Sequence, residues 1–274
     1  MNFIESVRAN QNYFNQIRAL QRSLAFLESF QFTRYSDGEL FMILEKEIRL
    51  TTSGAWIDGV QINSQRYADH DCKIFKPSED KALALELIKA LCCKVNSYVI
   101  GLPLPCCVGD DMFTSMVKKT GFYPSFYSTA NLLINDNYPF FLGRIIPILQ
   151  KRNVLLVANK RANAEFFNRV CGHIKLGDDA KSSISRYEDE ISRFLDSHSY
   201  EYQSELVILF AASYLSNLLI YRLVLRYPHV TMIDIGSALH PQLNLGLIRH
   251  YLQLYYSDPT SYCYHKCSPR LPCS

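Results

Sequence analysis

The chain has 274 residues, 48% of them hydrophobic and 20% charged, with a formal net charge of +3; this excludes a disordered chain and provides enough apolar surface for one large core. Its cations are scattered along the sequence, which argues against a nucleic-acid-coating protein and leaves a small anionic ligand as the compatible partner. Residues 1–30 carry charges throughout, and the longest apolar run, LVILFAASYLSNLLIY, is broken by serines and Asn217, so neither a signal peptide nor a membrane span is expected, and six of the nine cysteines, Cys72, Cys92, Cys93, Cys106, Cys107 and Cys171, read as reduced thiols of a cytoplasmic protein.

Phe3, Ile4, Val7, Tyr13, Phe14, Ile17, Leu20, Leu24 and Leu27 recur mostly at threes and fours, which predicts an N-terminal helical extension over residues 1–30. The short run QFTRYS predicts a strand and DGELFMILEKEI a helix directly after it. QINSQRYADHDC is polar and predicts a loop. Ser78 is the expected N-cap of the next helix, with Glu79 and Asp80 in its first turn, running through KALALELIKALCC. SYVIGLP predicts a buried strand, DDMFTSMVKKT a helix ended by Gly121, and YPFFLGRIIPILQ an apolar helix that Pro147 kinks or ends.

Further on, NVLLVAN, LVILFAA and VTMIDIG predict buried strands. RANAEFFNRVC, SSISRYEDEISRFLDS and LSNLLIYRLVLR predict the helices among them. Apolar strands without polar alternation, separated by helices, imply an α/β fold: a Rossmann-like, mostly parallel sheet with helices on both faces. Residues 31–274 are expected to form a single domain of this kind.

In open α/β sheets, ligands bind beyond the carboxyl ends of the strands. The segments that follow the expected strands hold Ser36-Asp37-Gly38-Glu39, Lys160-Arg161, Ala212-Ser213 and Ser237-Ala238-Leu239-His240. Asp37 and Glu39, at i and i+2 of a turn or extended segment, would face one divalent ion together, and Gly38 would let a ligand approach the backbone. The same letters also describe a capped helix, with Asp37 as N-cap and Glu39 in the first turn. Lys160 and Arg161, at an expected helix N-terminus, would hold phosphates. Asp234 lies inside a buried strand, so it must be hydrogen-bonded or paired; it serves either the Gly236-Ser237 turn or ligand hydroxyls. Arg66, Tyr67 and Asp69, with Tyr187, are candidates for an acceptor-side base. Asp178 and Asp179 precede a helix, where acids are ordinary capping residues. Cys263, His265, Cys267 and Cys273 lack the second matching pair that a structural zinc site needs.

FTRYSDGELFMI resembles the Arg-[Phe/Tyr]-x-Asp-Gly-Glu-[Leu/Phe] signature of GT-D-type glycosyltransferases. The resemblance continues, in the family's order, through YVIGLPLP, NVLLVANKRANAEFF and LVILFAASYLSNLLIYRLVLRYPHVTMIDIGSALHP, and covers roughly residues 31–243. It implies a Rossmann-like core, a nucleotide-sugar donor and dependence on Mn²⁺ or Mg²⁺ through the Asp-x-Glu pair, here Asp37 and Glu39. Arg34, Gly38, Lys160, Arg161, Asp234, Ser237 and His240 are then the donor-binding candidates. Ser36 stands where that family often has Gly, and His240 where Asp is frequent.

The expected function is therefore metal-dependent transfer of a sugar, from a UDP-sugar by default, to a glycan or glycoconjugate acceptor. A metal-dependent phosphohydrolase and a nucleotide-binding module without catalysis are the alternatives.

Overall fold

The computed structural model describes residues 1–51, 54–62, 73–104, 108–122, 124–177 and 180–262. Its centre is a sheet of seven strands: β1 (Gln31–Arg34), β6 (Tyr98–Leu102), β7 (Ser128–Thr129), β8 (Asn153–Asn159), β9 (Val170–Leu176), β10 (Leu206–Ala211) and β11 (Thr231–Asp234). They run in the order β7-β6-β1-β11-β10-β8-β9, and every neighbouring pair is parallel. The expected α/β architecture is thus observed.

The reason lies in the strand sequences. Every residue of β8 is buried, and alternate side chains enter opposite cores: Val154, Leu156 and Ala158 on one face, Leu155 and Val157 on the other. A strand covered on both faces has no polar position to alternate with. Phe3, Val7, Ile17, Leu20 and Leu24 of the first two helices, Phe3–Arg8 and Tyr13–Ala25, cover the first face, together with Leu252 of the helix His250–Ser257. Helices Pro77–Leu91, Ile184–Asp196 and Tyr214–Val224 cover the second. Each fully buried Leu or Phe contributes about 1.5–3 kcal/mol.

One buried cation ties the first face to the sheet. Arg152 is 6% exposed and donates from Nε to Glu205 O at 2.8 Å, from Nη1 to Leu24 O at 2.7 Å and from Nη2 to Ser204 O at 3.2 Å. It thereby satisfies a carbonyl in the last turn of the helix Tyr13–Ala25, one that no helical N–H can reach.

Several local expectations need correction. The N-terminal helical segment is two helices, because Asn10 takes a positive φ of 49° and Asn12 starts a new helix by accepting the Asn15 N–H at 2.9 Å. The helix after β1 stops at Ile43, and Glu45 at φ 55° turns the chain away. Ser78 is not the cap of its helix. Lys76 is, with Pro77 at the first helical position, where its fixed φ and missing N–H cost nothing; Asp80 accepts the Lys76 N–H at 2.9 Å and leaves helical geometry. At Pro147 the helix is distorted and soon ends, in keeping with the expectation. A π-helical segment, Phe141–Ile145, precedes Ile146–Leu149, a local distortion of the kind expected where proline offers no N–H to the preceding turn.

RANAEFFNRVC is not a helix. It holds a 3-10 turn, Ala164–Phe166, and then enters β9 at the edge of the sheet. Finally, a second sheet of four strands, order β4-β3-β2-β5, comprises β2 (Ile48–Thr51), β3 (Gly54–Ile57), β4 (Val60–Ile62) and β5 (Lys73–Phe75), all antiparallel. Asp58 and Gly59 join β3 to β4 with φ of 50° and 77°, the two positive values of a type I′ hairpin.

Candidate active site

All seven parallel strands end at one rim, and the two central ones, β1 and β11, bring Arg34 and Asp234 to it. Gln31 pairs with Met232 and Phe32 with Ile233, so the two strand ends lie side by side.

Arg34 is 8% exposed. Its Nε donates to Ala130 O at 2.5 Å, and its own carbonyl accepts from Asn217 Nδ2 at 3.0 Å. Among the described residues neither Nη nitrogen has an acceptor, nor is there an ion pair to the guanidinium. Neither Nη is fully enclosed, so both can meet an acceptor that enters from the rim.

Asp234 is 4% exposed, and its Oδ1 accepts the Gly236 N–H at 2.9 Å. Burial pushes its pKa up to about 7, against the pull of Arg34 and with a further push from Glu39. The nearby hydroxyl of Ser216, on the helix after β10, favours the charged form and lowers the value somewhat. A buried guanidinium and two buried carboxylates therefore interact electrostatically at the junction of β1 and β11.

Glu39 owes its position to the helix start. Ser36, not Asp37, is the N-cap, and Glu39 Oε2 accepts both the Ser36 N–H at 2.9 Å and the Ser36 hydroxyl at 2.6 Å. This is a capping box, the local arrangement that an Asp-Gly-Glu after a serine favours. Asp37 is half-buried and accepts the Gly38 N–H on Oδ1 at 3.0 Å. The two acids thus lie in a helical first turn, where side chains two apart diverge by about 200°, and not on extended backbone that would aim them together.

Gly38 has helical backbone, and a Cβ built there would meet nothing within 4 Å. The protein's own packing gives no reason for glycine at this position.

The other candidates are distributed as follows. Ser237 and His240 lie in the turn after β11; Ser237 Oγ is 3.1 Å from Tyr251 Oη, and the His240 N–H donates to Ser237 O at 3.1 Å. Lys160 and Arg161 are exposed at the end of β8, two strands beyond β11. Arg161 donates from its backbone N and from Nε to Asn159 Oδ1, at 2.9 and 3.1 Å. No helix begins there, so the expected meeting of cations and a helix N-terminus is absent; the 3-10 turn takes its place. Tyr187 is a core residue whose hydroxyl accepts from Gly177 N at 3.0 Å and from Arg186 Nη2 at 3.1 Å. Arg66, Tyr67 and Asp69 lie outside the described residues, as do Asp178, Asp179 and the C-terminal cysteines.

Among the described residues no group of three or more His, Cys, Asp or Glu side chains is arranged to hold a metal ion. An ion such as Mg²⁺ that takes most of its ligands from phosphate and water needs only one or two carboxylates, and Asp37 and Glu39 are of the right chemistry for that. No helix among the described residues is long and apolar enough to cross a membrane.

No protein-family model and no curated protein matches the sequence. Two solved structures do match the fold. One is described as the selenomethionine-substituted structure of domain of unknown function 1792, the other as showing that this highly conserved domain has a distinct glycosyltransferase fold. Each is 15% identical to this chain, with a TM-score of 0.51, over 90% of this chain and 82% of its own. The chain has that fold. At such low identity the likeness carries architecture alone, and the residues above must carry any chemistry.

Three contributors were not singled out from sequence: Ser216, Asn217 and Ala130. Ser216 and Asn217 had a signal, as adjacent polar residues on an otherwise apolar helix that must be buried on its sheet-facing side. Ala130 acts through its carbonyl, which no side-chain pattern reveals.

Proposed function

We propose that the protein is a glycosyltransferase that takes a sugar from a nucleoside diphosphate donor, a UDP-sugar by preference, and passes it to a hydroxyl of a glycan or glycoconjugate. The observation that carries this reading is Arg34: an arginine more than nine-tenths buried as a residue, at the carboxyl end of a central parallel strand, with Nη donors that no described residue accepts. A diphosphate is the ligand class such a fork fits, since its oxygens accept charge-assisted and bidentate hydrogen bonds.

In the transfer, the bond from the anomeric carbon to the diphosphate oxygen breaks and its electron pair leaves with that oxygen. The acceptor hydroxyl oxygen forms the new bond to the anomeric carbon, and its proton passes to water or to the departing diphosphate. Negative charge grows on the leaving diphosphate, and Arg34, fixed in advance by Ala130 and Asn217, needs no reorganisation to meet it. A divalent ion held by Asp37 or by Glu39, with the diphosphate and water supplying its other oxygens, would neutralise the same charge as a Lewis acid. Gly38, open beside the acids, admits the donor close to the backbone. Ser237 and His240 follow the adjacent strand and are the proposed contacts to donor hydroxyls; Lys160 and Arg161 are assigned to the outer end of the donor.

The fit of Glu39 into the capping box also favours a second reading, a nucleotide-binding module without turnover, because a carboxylate held by Ser36 has a structural use already.

Thermal unfolding with UDP, with Mn²⁺ or Mg²⁺, and with both tests the proposal. The two together are expected to raise the midpoint more than the sum of either alone. Asp37→Asn and Glu39→Gln are expected to remove that synergy, and Gln at position 39 retains the capping geometry, so the fold survives. A synergy that persists in both variants refutes the metal assignment. Binding without sugar release or transfer across a panel of nucleotide sugars favours the module.

A further inference from the structure

We infer that Gly236 is a positioning residue: its missing side chain forms the seat on which the Arg34 guanidinium rests, and the turn after β11 thereby aims the Nη donors at the rim. This deepens the donor reading above and rests on it for its functional consequence.

Gly236 takes a φ of 49°, in the left-handed region. A Cβ built there would lie 2.0 Å from Arg34 Nη1, 3.1 Å from Cζ and 3.6 Å from Nη2. The first distance is far inside any non-bonded contact, so even a methyl group and this guanidinium cannot share the space. Arg34 is not free to yield. Nε is bound to Ala130 O, the carbonyl is bound to Asn217, and β1 is paired on both sides. Gly236 is equally fixed, because its N–H is held by Asp234 Oδ1 at 2.9 Å. The Asp-x-Gly that ends β11 and opens the following turn therefore does two things: the aspartate ties the turn to the strand end, and the glycine leaves room for a cation from the adjacent strand. A Cβ would also be crowded at Gly172, Gly54 and Gly101, but at 2.9–3.0 Å; among the described glycines the 2.0 Å approach is the shortest, and at 236 alone the crowding atom belongs to a charged group.

The test is a double-mutant cycle on Gly236→Ala and Arg34→Ala, read by thermal unfolding and by UDP affinity in the presence of Mn²⁺. If Gly236 seats Arg34, the alanine at 236 lowers the unfolding midpoint much more in the wild-type background than in Arg34→Ala, where the clashing nitrogen is gone. The residual drop in that second background reports the backbone strain alone. UDP affinity is expected to fall about tenfold or more in either single variant, as for a lost charge-assisted hydrogen bond, and the double variant is expected to be no weaker than Arg34→Ala. Equal midpoint losses in both backgrounds overturn the seat, and so does failure of both Gly236→Ala and the double variant to fold, since the turn itself would then be what needs glycine. If the midpoint cycle shows coupling while wild-type protein binds no UDP, the seat stands and the nucleotide reading falls.

Discussion

Replacing Gly38 with alanine separates what the fold wants from what a ligand wants. Residue 38 is the second residue of the helix Asp37–Ile43, and a Cβ there would meet nothing within 4 Å. Alanine should therefore stabilise the protein by reducing unfolded-chain entropy and raising helix propensity, by about 0.4–1 kcal/mol. For a chain of 274 residues that corresponds to an increase of about 1–2 °C in Tm. If a nucleotide approaches the backbone at this glycine, the added methyl instead overpacks the bound state at about 1–3 kcal/mol, a loss of between roughly fivefold and a hundredfold in affinity. Calorimetric titration of UDP with Mn²⁺, beside a thermal melt of the same samples, measures both. The expected outcome is a more stable protein that binds more weakly. A more stable protein with unchanged affinity would refute the argument that a ligand, and not the chain, requires this glycine.

Two further outcomes follow from buried charges. Asp234 has a pKa near 7 in the folded protein against an ordinary 3.8, so the folded state holds its proton more tightly, and the associated stability is present below pH 4 and is lost as pH rises through 7. The difference is roughly 4 kcal/mol across that range; Asp234→Asn, which keeps an acceptor for Gly236, should flatten the dependence, and denaturant midpoints for variant and wild type that run parallel from pH 4 to pH 8 would contradict it. Arg152→Met should destabilise by about 3 kcal/mol or more, because it strands the carbonyls of Leu24, Ser204 and Glu205 that now share three donors; a loss under about 1 kcal/mol in urea unfolding would show that water replaces the guanidinium at no cost.

What the sequence makes legible is local, and what it hides is long-range. The buried strands β6, β8, β10 and β11 are plain in runs such as NVLLVAN, because a strand covered on both faces reads as a nearly continuous apolar run with polar residues kept mostly to its ends. The capping box is also local, since Ser36 and Glu39 are three residues apart. The small antiparallel sheet carried a signal of the same kind in GAWIDGVQI, an Asp-Gly between two strand-like runs, which the polar letters downstream obscured. β9 was hidden because RANAEFF has helical letters while Asn163 caps only a single 3-10 turn; the edge of the sheet claims the next residues. The site shows the same division more sharply. Arg34 and Asp234 stand 200 residues apart in the chain, and nothing near either one states that they end adjacent strands. That adjacency follows from the strand order, in which the last strand returns to pair with the first. An arginine at the end of β1 is unremarkable alone. Beside a turn whose glycine leaves room for it, at the rim where parallel sheets bind ligands, it becomes the group whose donors most need a partner, and a diphosphate supplies acceptors of the matching charge.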